Sequence, residues 1–291
     1  MSNVLTVPLP IILHPKQQEI FDSPASRKVI KAGKRFGKTR LAHYVVATLA
    51  GRYLDAMIWY LATTHGHAKD LAWEPLKKLI PAQFIAYKSE VSLLMRLTTG
   101  TTIRLLGAEN SDVLRGQPVD VAIFDEADYM DRMIWPNIVS GQIANSKINQ
   151  VYFISTPNYK GNGWFSSFWK KAKNKELNGD KDWAAFHYTI YDNPYYTPKM
   201  VDEVKEENTD DTWKIEYLAD DEGISGLLIN EWKRELHLGE LTIEKCDLRV
   251  RSIDWGIDHP TVCLWAEIDK AKNLVYLKDE YFKTGQLISE S

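Results

Sequence analysis

The chain has 291 residues, 44% of them hydrophobic, and a formal net charge of −3. This length allows one large domain and a small one around a substantial core, and the composition excludes a disordered tail. Because the average charge is slightly negative, DNA binding would need a local basic patch. The two cysteines, Cys246 and Cys263, are too far apart for a metal-binding spacing, and no apolar run approaches the length of about 20 residues that spans a membrane.

The first predicted elements are a strand, a tight loop and a helix around residues 32–39, which read AGKRFGKT. RKVI before the loop predicts the end of a strand, and TRLAHYVVATLAG after it predicts a helix. Backbone N–H groups at a helix N-terminus bind phosphates. In this pattern Gly37 lets the backbone approach the phosphates, Lys38 reaches the β- and γ-phosphates, and Thr39 holds Mg²⁺. Ala32 replaces the usual first glycine, which is acceptable if that position needs only a small side chain.

Acidic residues follow a later strand in VDVAIFDEAD. Before it, MIWYLATT predicts a strand and VSLLMRLTTGTTIRLLGA predicts a hairpin that turns at Thr99 and Gly100. Four apolar residues precede Asp125 and Glu126, as expected of a buried parallel strand with carboxylates at its ligand-binding end. Asp125 is then expected to coordinate Mg²⁺ through water, and Glu126 to activate the attacking water. The alternative is a strand that ends in a solvated acidic turn.

A third apolar strand, VYFISTPN, ends at Ser155, Thr156 and Pro157. Polar groups beside a γ-phosphate are able to sense its hydrolysis; the alternative is a simple turn, which is what a Ser-Thr-Pro sequence usually forms. Three strands that deliver suitable groups at one end of a sheet predict a nucleotide site. The room for an extra strand between Lys38 and Asp125 is typical of RecA-like ATPases, and without an Asn-Lys-x-Asp motif we expect ATP rather than GTP.

The remaining sequence predicts a helix, a linker and a meander. Aromatic residues at helical spacing in WFSSFWKKAKNKELNGDKDW favour a packed face with a solvated lysine side, the alternative being lysines that contact DNA phosphates. YDNPYYTPKMVDEVKEENTDDTWKIEYLADDEG predicts a linker with one or two short helices. DLRVRSIDWGIDHPTVCLWAEIDKAKNLVYLKDEYF predicts three strands with turns near Gly256 and Lys272.

The order of these motifs resembles the large terminase subunit family of tailed bacteriophages. The resemblance extends from about Leu13 to Phe282 and rests on LHPKQQEIFDSPASRKVIKAGKRFGKT, LRGQPVDVAIFDEAD, FISTPN and RSIDWGIDHPTVCLW. It implies an α/β fold: a RecA/ASCE-type P-loop ATPase domain with a mostly parallel sheet, followed by the first strands of a truncated RNase H-like domain. The expected domains are residues 1–195 for the ATPase, 196–246 for a connecting subdomain and 247–291 for the start of the nuclease.

The resemblance also implies roles for individual residues. Gln17 matches a glutamine that reads adenine, with Gln18 as the neighbouring candidate. Arg115 matches an arginine that is supplied to the ATP of an adjacent subunit, the alternative being a loop arginine paired with Asp112 or Asp120. The implied nucleotide-binding residues are Gln17, Gly33, Lys34, Arg35, Phe36, Gly37, Lys38, Thr39 and Arg40. The implied coupling residues are Ser155, Thr156 and Pro157.

Asp254 matches the first carboxylate of the family's nuclease. Two-metal hydrolysis needs several carboxylates around two ions, so Asp254 does not suffice alone. Asp258 and Glu280 match no family motif and are interpreted as surface charges. We therefore expect a complete ATPase, using ATP and Mg²⁺, joined to an incomplete nuclease, whose completed site would use Mg²⁺ or Mn²⁺.

The implied partners are double-stranded phage DNA, a portal protein and a small terminase subunit. The chain is expected to be a monomer alone and a homo-oligomeric ring on the portal, in the host bacterial cytoplasm and not in a membrane. A DEAD-type helicase is an alternative, because residues 125–128 spell Asp-Glu-Ala-Asp, but it needs a second RecA-like domain that the sequence after Thr156 does not indicate. A second alternative is a non-hydrolysing, ATP-gated assembly module, against which the intact Lys38, Asp125 and Glu126 argue.

Overall fold

The computed structural model of the chain describes residues 10–158, 163–221, 237–239, 246–255 and 260–283. The chain forms two compact units, Met1–Leu228 and Ile229–Ser291. Within the described ranges, no helix has the length and apolar character needed to cross a membrane.

The larger unit is built on a sheet of eight strands, counted over the described residues. These are β1 (Arg27–Ala32), β2 (Met57–Ala62), β3 (Ile85–Ser89), β4 (Leu94–Leu97), β5 (Thr102–Gly107), β6 (Val121–Asp125), β7 (Gln150–Ser155) and β8 (Trp183–Tyr188). Their spatial order is β3-β4-β5-β2-β6-β7-β1-β8. From β5 to β8 every neighbouring pair is parallel, whereas β4 is antiparallel to both β3 and β5. The expected mostly parallel sheet is confirmed.

The strand order brings the three predicted motifs together. β7 lies between the loop strand β1 and the acidic strand β6. Its register pairs Ser155 with Lys31 on one side and Ile154 with Asp125 on the other. Because the three strands are parallel and end at nearly the same level, the side chains that follow them share one edge of the sheet.

The larger unit also contains helices, some of which cover the two faces of this sheet. They are α1 (Pro15–Asp22), α2 (Lys38–Arg52), α3 (His65–Ala68), α4 (Glu74–Leu79), α5 (Ser140–Ile143), α6 (Phe165–Leu177), α7 (Pro198–Glu206) and α8 (Asp210–Thr212). Short π-helical segments lie at Lys69–Trp73, Trp135–Val139 and Trp213–Tyr217, and 3₁₀ segments at Ala82–Phe84, Ala108–Leu114, Ala127–Tyr129 and Ile190–Asp192. One face packs mainly on α2 and the other on α5 and α6, and each contact forms a buried apolar cluster.

The aromatic residues of α6 form a packed face, as predicted. Phe165 is fully buried, and Trp164, Phe168 and Trp169 pack against the core of the same face of the sheet. Lys170 and Lys171 are both exposed, and Lys170 also interacts with another group of the chain. The helix therefore uses its aromatic residues for packing and keeps these lysines toward solvent.

The smaller unit contains an antiparallel sheet of three described strands. These are β9 (Leu248–Asp254), β10 (Thr261–Asp269) and β11 (Leu274–Lys283), with β10 in the centre. The predicted three-strand meander and its turn near Lys272 are confirmed. The other expected turn, near Gly256, and Asp258 lie outside the described residues, and Glu280 is exposed.

Candidate nucleotide site

The loop between β1 and α2 has a tightly specified backbone. Gly37 precedes the helix in the left-handed conformation, with φ 99°, and Arg35 also has a positive φ of 67°. Phe36 anchors the loop, because its buried ring stacks on Tyr188 at 4.9 Å and meets the edge of His14 at 5.0 Å. Because the Phe36 ring is fixed in the core, the loop backbone that carries it is held in place.

The start of α2 presents unused hydrogen-bond donors. Among the described residues, no acceptor takes the backbone N–H groups of Gly37, Lys38 and Thr39. The Lys38 ammonium donates to the Gly33 carbonyl at 3.2 Å and to the Thr156 hydroxyl at 2.6 Å. These N–H groups and the lysine form the kind of cradle that binds phosphate oxygens.

Asp125, at the end of β6, lies beside this cradle. The carboxylate is 1% exposed, and burial followed by the nearby charge of Glu126 raises its pKa to about 6. Three neighbouring side chains lower this pKa and therefore lie next to the carboxylate: Tyr60, Lys38 and Thr39. The Tyr60 hydroxyl donates to Asp125 Oδ2 at 2.5 Å, and burial, more than this contact, raises the pKa of Tyr60 well above its usual value.

The residues at this point fit a magnesium ion. Asp125 Oδ1 is buried and has no hydrogen-bond partner among the described residues. The Thr39 side chain lies close enough to lower the pKa of the same carboxylate but forms no hydrogen bond to Oδ1, so both groups offer the hard oxygen ligands that Mg²⁺ prefers. The described residues contain no group of three His, Cys, Asp or Glu side chains suited to a metal. A single carboxylate and a hydroxyl fit Mg²⁺ that arrives with a nucleotide, because such ions take most other ligands from phosphates and water.

Glu126 follows Asp125 in a strained backbone conformation. Its φ of 60° and ψ of 49° are left-handed, which costs a non-glycine residue about 1–2 kcal/mol. Its charge acts on both Asp125 and Lys38, so its carboxylate lies at the same site. Strain of this kind is concentrated at functional sites.

The strand end at Ser155 connects the site to α6 through Asp128. The Ser155 hydroxyl accepts from the Asp128 backbone N–H at 3.1 Å and donates to the Thr156 carbonyl at 2.8 Å. The buried Asp128 carboxylate accepts from the backbone N–H groups of Asn158, at 2.7 Å, and Phe165, at 2.8 Å. Sequence reasoning missed this role of Asp128, whose only local signal is its place in the Asp-Glu-Ala-Asp run.

The segment at Trp213–Tyr217 packs directly against the loop. The Lys34 backbone N–H donates to the Glu216 carbonyl, and its ammonium forms an ion pair with the buried Glu216 carboxylate. A Cβ at Gly33 would collide with the Tyr217 carbonyl. Position 33 therefore requires glycine because another backbone lies against it.

Gln17 is buried beneath the loop and is only 1% exposed. Its amide donates to the Gly37 carbonyl at 2.9 Å and accepts from the His14 backbone N–H at 3.1 Å. Asn193 similarly donates to the Arg35 carbonyl at 2.6 Å. Gln17 thus holds the loop between β1 and α2 in this structure, and its contact with adenine stays a prediction.

Other predicted residues lie outside this cluster. Arg115 is exposed and pairs with Asp112 at 3.3 Å, and its role at the ATP of an adjacent subunit stays a prediction. The Arg40 guanidinium is exposed and donates to the Ile12 carbonyl at 3.4 Å. Asp254 is the exposed last residue of β9 in the smaller unit.

Comparison with known proteins identifies the family. Residues 29–230 match the family model described as terminase large subunit, T4likevirus-type, N-terminal. The large terminase subunit of Escherichia phage T5 is 23% identical over 265 residues, which cover 85% of this chain and 57% of that relative. The chain thus spans little more than half the length of this relative.

Solved structures share the fold. The large terminase ATPase domain of Thermus phage P74-26 has a TM-score of 0.60 at 20% identity, covering 73% of this chain and 95% of that domain. The large terminase of another thermophilic bacteriophage, in complex with ADP, has a TM-score of 0.57 at 16% identity, covering 96% of this chain and 72% of that protein. The family model matches well over half of the residues of this chain, so the chain belongs to the T4likevirus-type terminase large subunit family.

Proposed function

We propose that the larger unit is an ATPase whose cycle drives double-stranded phage DNA into a procapsid. The observation that supports it best is the meeting of unused N–H groups at Gly37, Lys38 and Thr39 with the unpaired, buried Oδ1 of Asp125. An anion cradle beside a carboxylate with one free oxygen fits a nucleotide phosphate chain with its metal. The ADP complex of the second thermophilic-phage terminase, which has the same fold, agrees with this proposal.

The residues of the cradle have separate roles in the proposed reaction. The N–H groups of the loop and Lys38 bind the phosphate oxygens, and Thr39 and Asp125 hold Mg²⁺. When bound, the ion neutralises charge on the phosphate oxygens. Burial lowers the pKa of Lys38, whereas Glu126 and Asp125 act to raise it.

Glu126 accepts the proton of the attacking water in this proposal. Its fixed backbone and its position next to Asp125 support that role. An exposed Arg115 is available to reach the site of a neighbouring subunit in a ring, where such an arginine raises the rate by about 10³–10⁵. The Ser155–Asp128 contact relays the change to α6.

The partners follow from the packaging role. We propose a homo-oligomeric ring on the portal protein, with a small terminase subunit and double-stranded DNA as further partners. Contacts to DNA phosphates predict binding that weakens steeply with salt. For the smaller unit we propose an RNase H-like nuclease sheet in which Asp254 is one metal ligand.

ATP turnover tests the proposal. Phosphate release is measured with and without double-stranded DNA and portal on wild type, Glu126→Gln and the matched control Glu176→Gln in α6. We expect Glu126→Gln to slow turnover by about 10²–10⁴, because it removes the general base, and to leave ATP binding intact. Glu176→Gln should turn over like wild type, because it changes only a surface pair with Lys173.

Three results would contradict the proposal. A wild type that binds no ATP excludes the nucleotide site. A wild type that binds ATP but releases no phosphate even with DNA and portal favours the non-hydrolysing assembly module. RNA-stimulated unwinding without a procapsid would instead favour the helicase.

A further inference from the structure

Tyr60 on β2 contacts the site from a strand to which sequence reasoning assigned no function. β2 neighbours β6, and the register pairs Tyr60 with Ile123, two residues before Asp125. Residues two apart on a strand point to the same face, and aromatic side chains reach such diagonal neighbours on an adjacent strand. The phenol therefore crosses from one strand to the carboxylate at the end of the next, where it donates to Asp125 Oδ2 at 2.5 Å.

The Tyr60 ring is fixed in the core. It is fully buried in the apolar cluster that β2 shares with α2. The ring of His43, one helical turn after Thr39, lies 6.2 Å from it. A ring held in this way keeps its hydroxyl at one position, so the hydrogen bond to Asp125 has a defined direction.

This hydrogen bond leaves the two oxygens of Asp125 in different situations. Oδ2 accepts from Tyr60, whereas Oδ1 is buried without a partner among the described residues. A carboxylate rotates about its last torsion with little preference unless one oxygen is held. Fixing Oδ2 sets the direction of Oδ1, in the way that outer hydrogen bonds orient metal ligands.

We propose that Tyr60 is a positioning residue that orients Asp125 so that Oδ1 meets the magnesium ion or its bound water. This inference rests on the proposed ATPase function. A purely structural role is the competing explanation, since a buried tyrosine hydroxyl needs an acceptor in any case. The two explanations differ in whether loss of the hydroxyl changes magnesium dependence or stability alone.

The chain offers a matched control in Tyr152. It is also almost fully buried and lies on β7, which is separated from β2 by β6. Its hydroxyl accepts a hydrogen bond from Lys28 instead of contacting the site. Tyr60→Phe and Tyr152→Phe thus each remove one buried hydroxyl. A structural role predicts similar behaviour of both variants, whereas a positioning role predicts a difference in magnesium binding only.

Binding of ATPγS, measured by calorimetry in EDTA and across a Mg²⁺ titration, tests the assignment without turnover. In Tyr60→Phe we expect an unchanged affinity in EDTA, which also shows that the loop is folded, and a Mg²⁺ requirement raised about 10- to 100-fold. Tyr152→Phe should keep the Mg²⁺ requirement of wild type. Equal Mg²⁺ titrations for the two variants would overturn the proposal.

A second variant tests the route of the effect. In an Asp125→Asn background, adding Tyr60→Phe should change the Mg²⁺ requirement by less than about twofold, because Tyr60 acts through Asp125. If the two substitutions instead raise the Mg²⁺ requirement by the product of their separate effects, the assignment is overturned. A wild type that binds no ATPγS with or without Mg²⁺ would refute the proposed nucleotide site itself, a result distinct from an unaltered Tyr60→Phe.

Discussion

Lys28, buried on β1, gives a stability prediction with a defined pH dependence. Its side chain is 1% exposed, and its ammonium donates to the Tyr152 hydroxyl at 3.3 Å. No carboxylate of the described residues forms an ion pair with it, and burial lowers its pKa from 10.5 to about 8. The folded protein therefore holds a charged amine in a place that disfavours the charge.

The magnitude follows from the two pKa values of Lys28. A difference from 10.5 to about 8 corresponds to about 3 kcal/mol of destabilisation when the amine is protonated in both states. Between these values the unfolded chain binds more protons than the folded one, so the free energy of unfolding rises with pH. Below about pH 8 the full penalty remains, and above about pH 10.5 it is gone.

Lys28→Met removes the buried charge and keeps the length of the side chain. At about pH 7 we expect the variant to be about 2–3 kcal/mol more stable, after allowing about 1 kcal/mol for the lost bond to Tyr152. By about pH 10 the advantage should disappear. Urea unfolding followed by tryptophan fluorescence measures both values, with the exposed Lys171→Met as the control. A Lys28→Met difference that does not change with pH would refute the reasoning.

Two further predictions concern the loop and the neighbouring subunit. Gly33→Ala places a methyl group against the Tyr217 carbonyl. We expect the free energy of unfolding, measured in urea, to fall by about 1–3 kcal/mol and the affinity for ATP to fall about tenfold or more. The control Gly141→Ala, which has open space around it, should change neither quantity. Arg115→Ala and Glu126→Gln should each be slow alone, but a mixture of the two on the portal should regain phosphate release, because one subunit supplies the arginine and the other the base. A mixture as slow as its components would show that the arginine does not act between subunits.

The interior strands of the sheet were predictable from the sequence, and the two edge strands were missed. The apolar runs of β6 and β7 indicate strands because both faces are buried. β3 and β8 form the two edges of the sheet. The pattern IAYKS of β3 is mostly exposed, and WAAFHY of β8 follows a charged turn, so neither has the continuous apolar signal of a central strand.

The loop around Lys38 and the acidic strand end at Asp125 could be located from the sequence because the signal of each is local. Lys38 and Asp125 each follow a strand within a short, distinctive run of residues. Tyr60 and Asp128 were missed because their roles depend on partners brought close by folding. The Tyr60 hydroxyl meets a carboxylate 65 positions away, and nothing in MIWYLA distinguishes this tyrosine from a core residue. The function of such side chains can be inferred only after the fold shows which partners they meet.

In the proposed nucleotide site, the contacts of the loop between β1 and α2 connect it to distant parts of the larger unit. Gln17, Asn193 and Glu216 each hold a backbone group of the loop, and Thr156 holds Lys38. These partners come from α1, from the chain after β8, from the segment after α8 and from the end of β7. A loop fixed from so many directions cannot shift alone, because a packed interior transmits a displacement to the elements in contact with it. The segment at Trp213–Tyr217 is bound to the loop by both a backbone bond and an ion pair, so it is the part of the unit that we expect to move first when the loop moves.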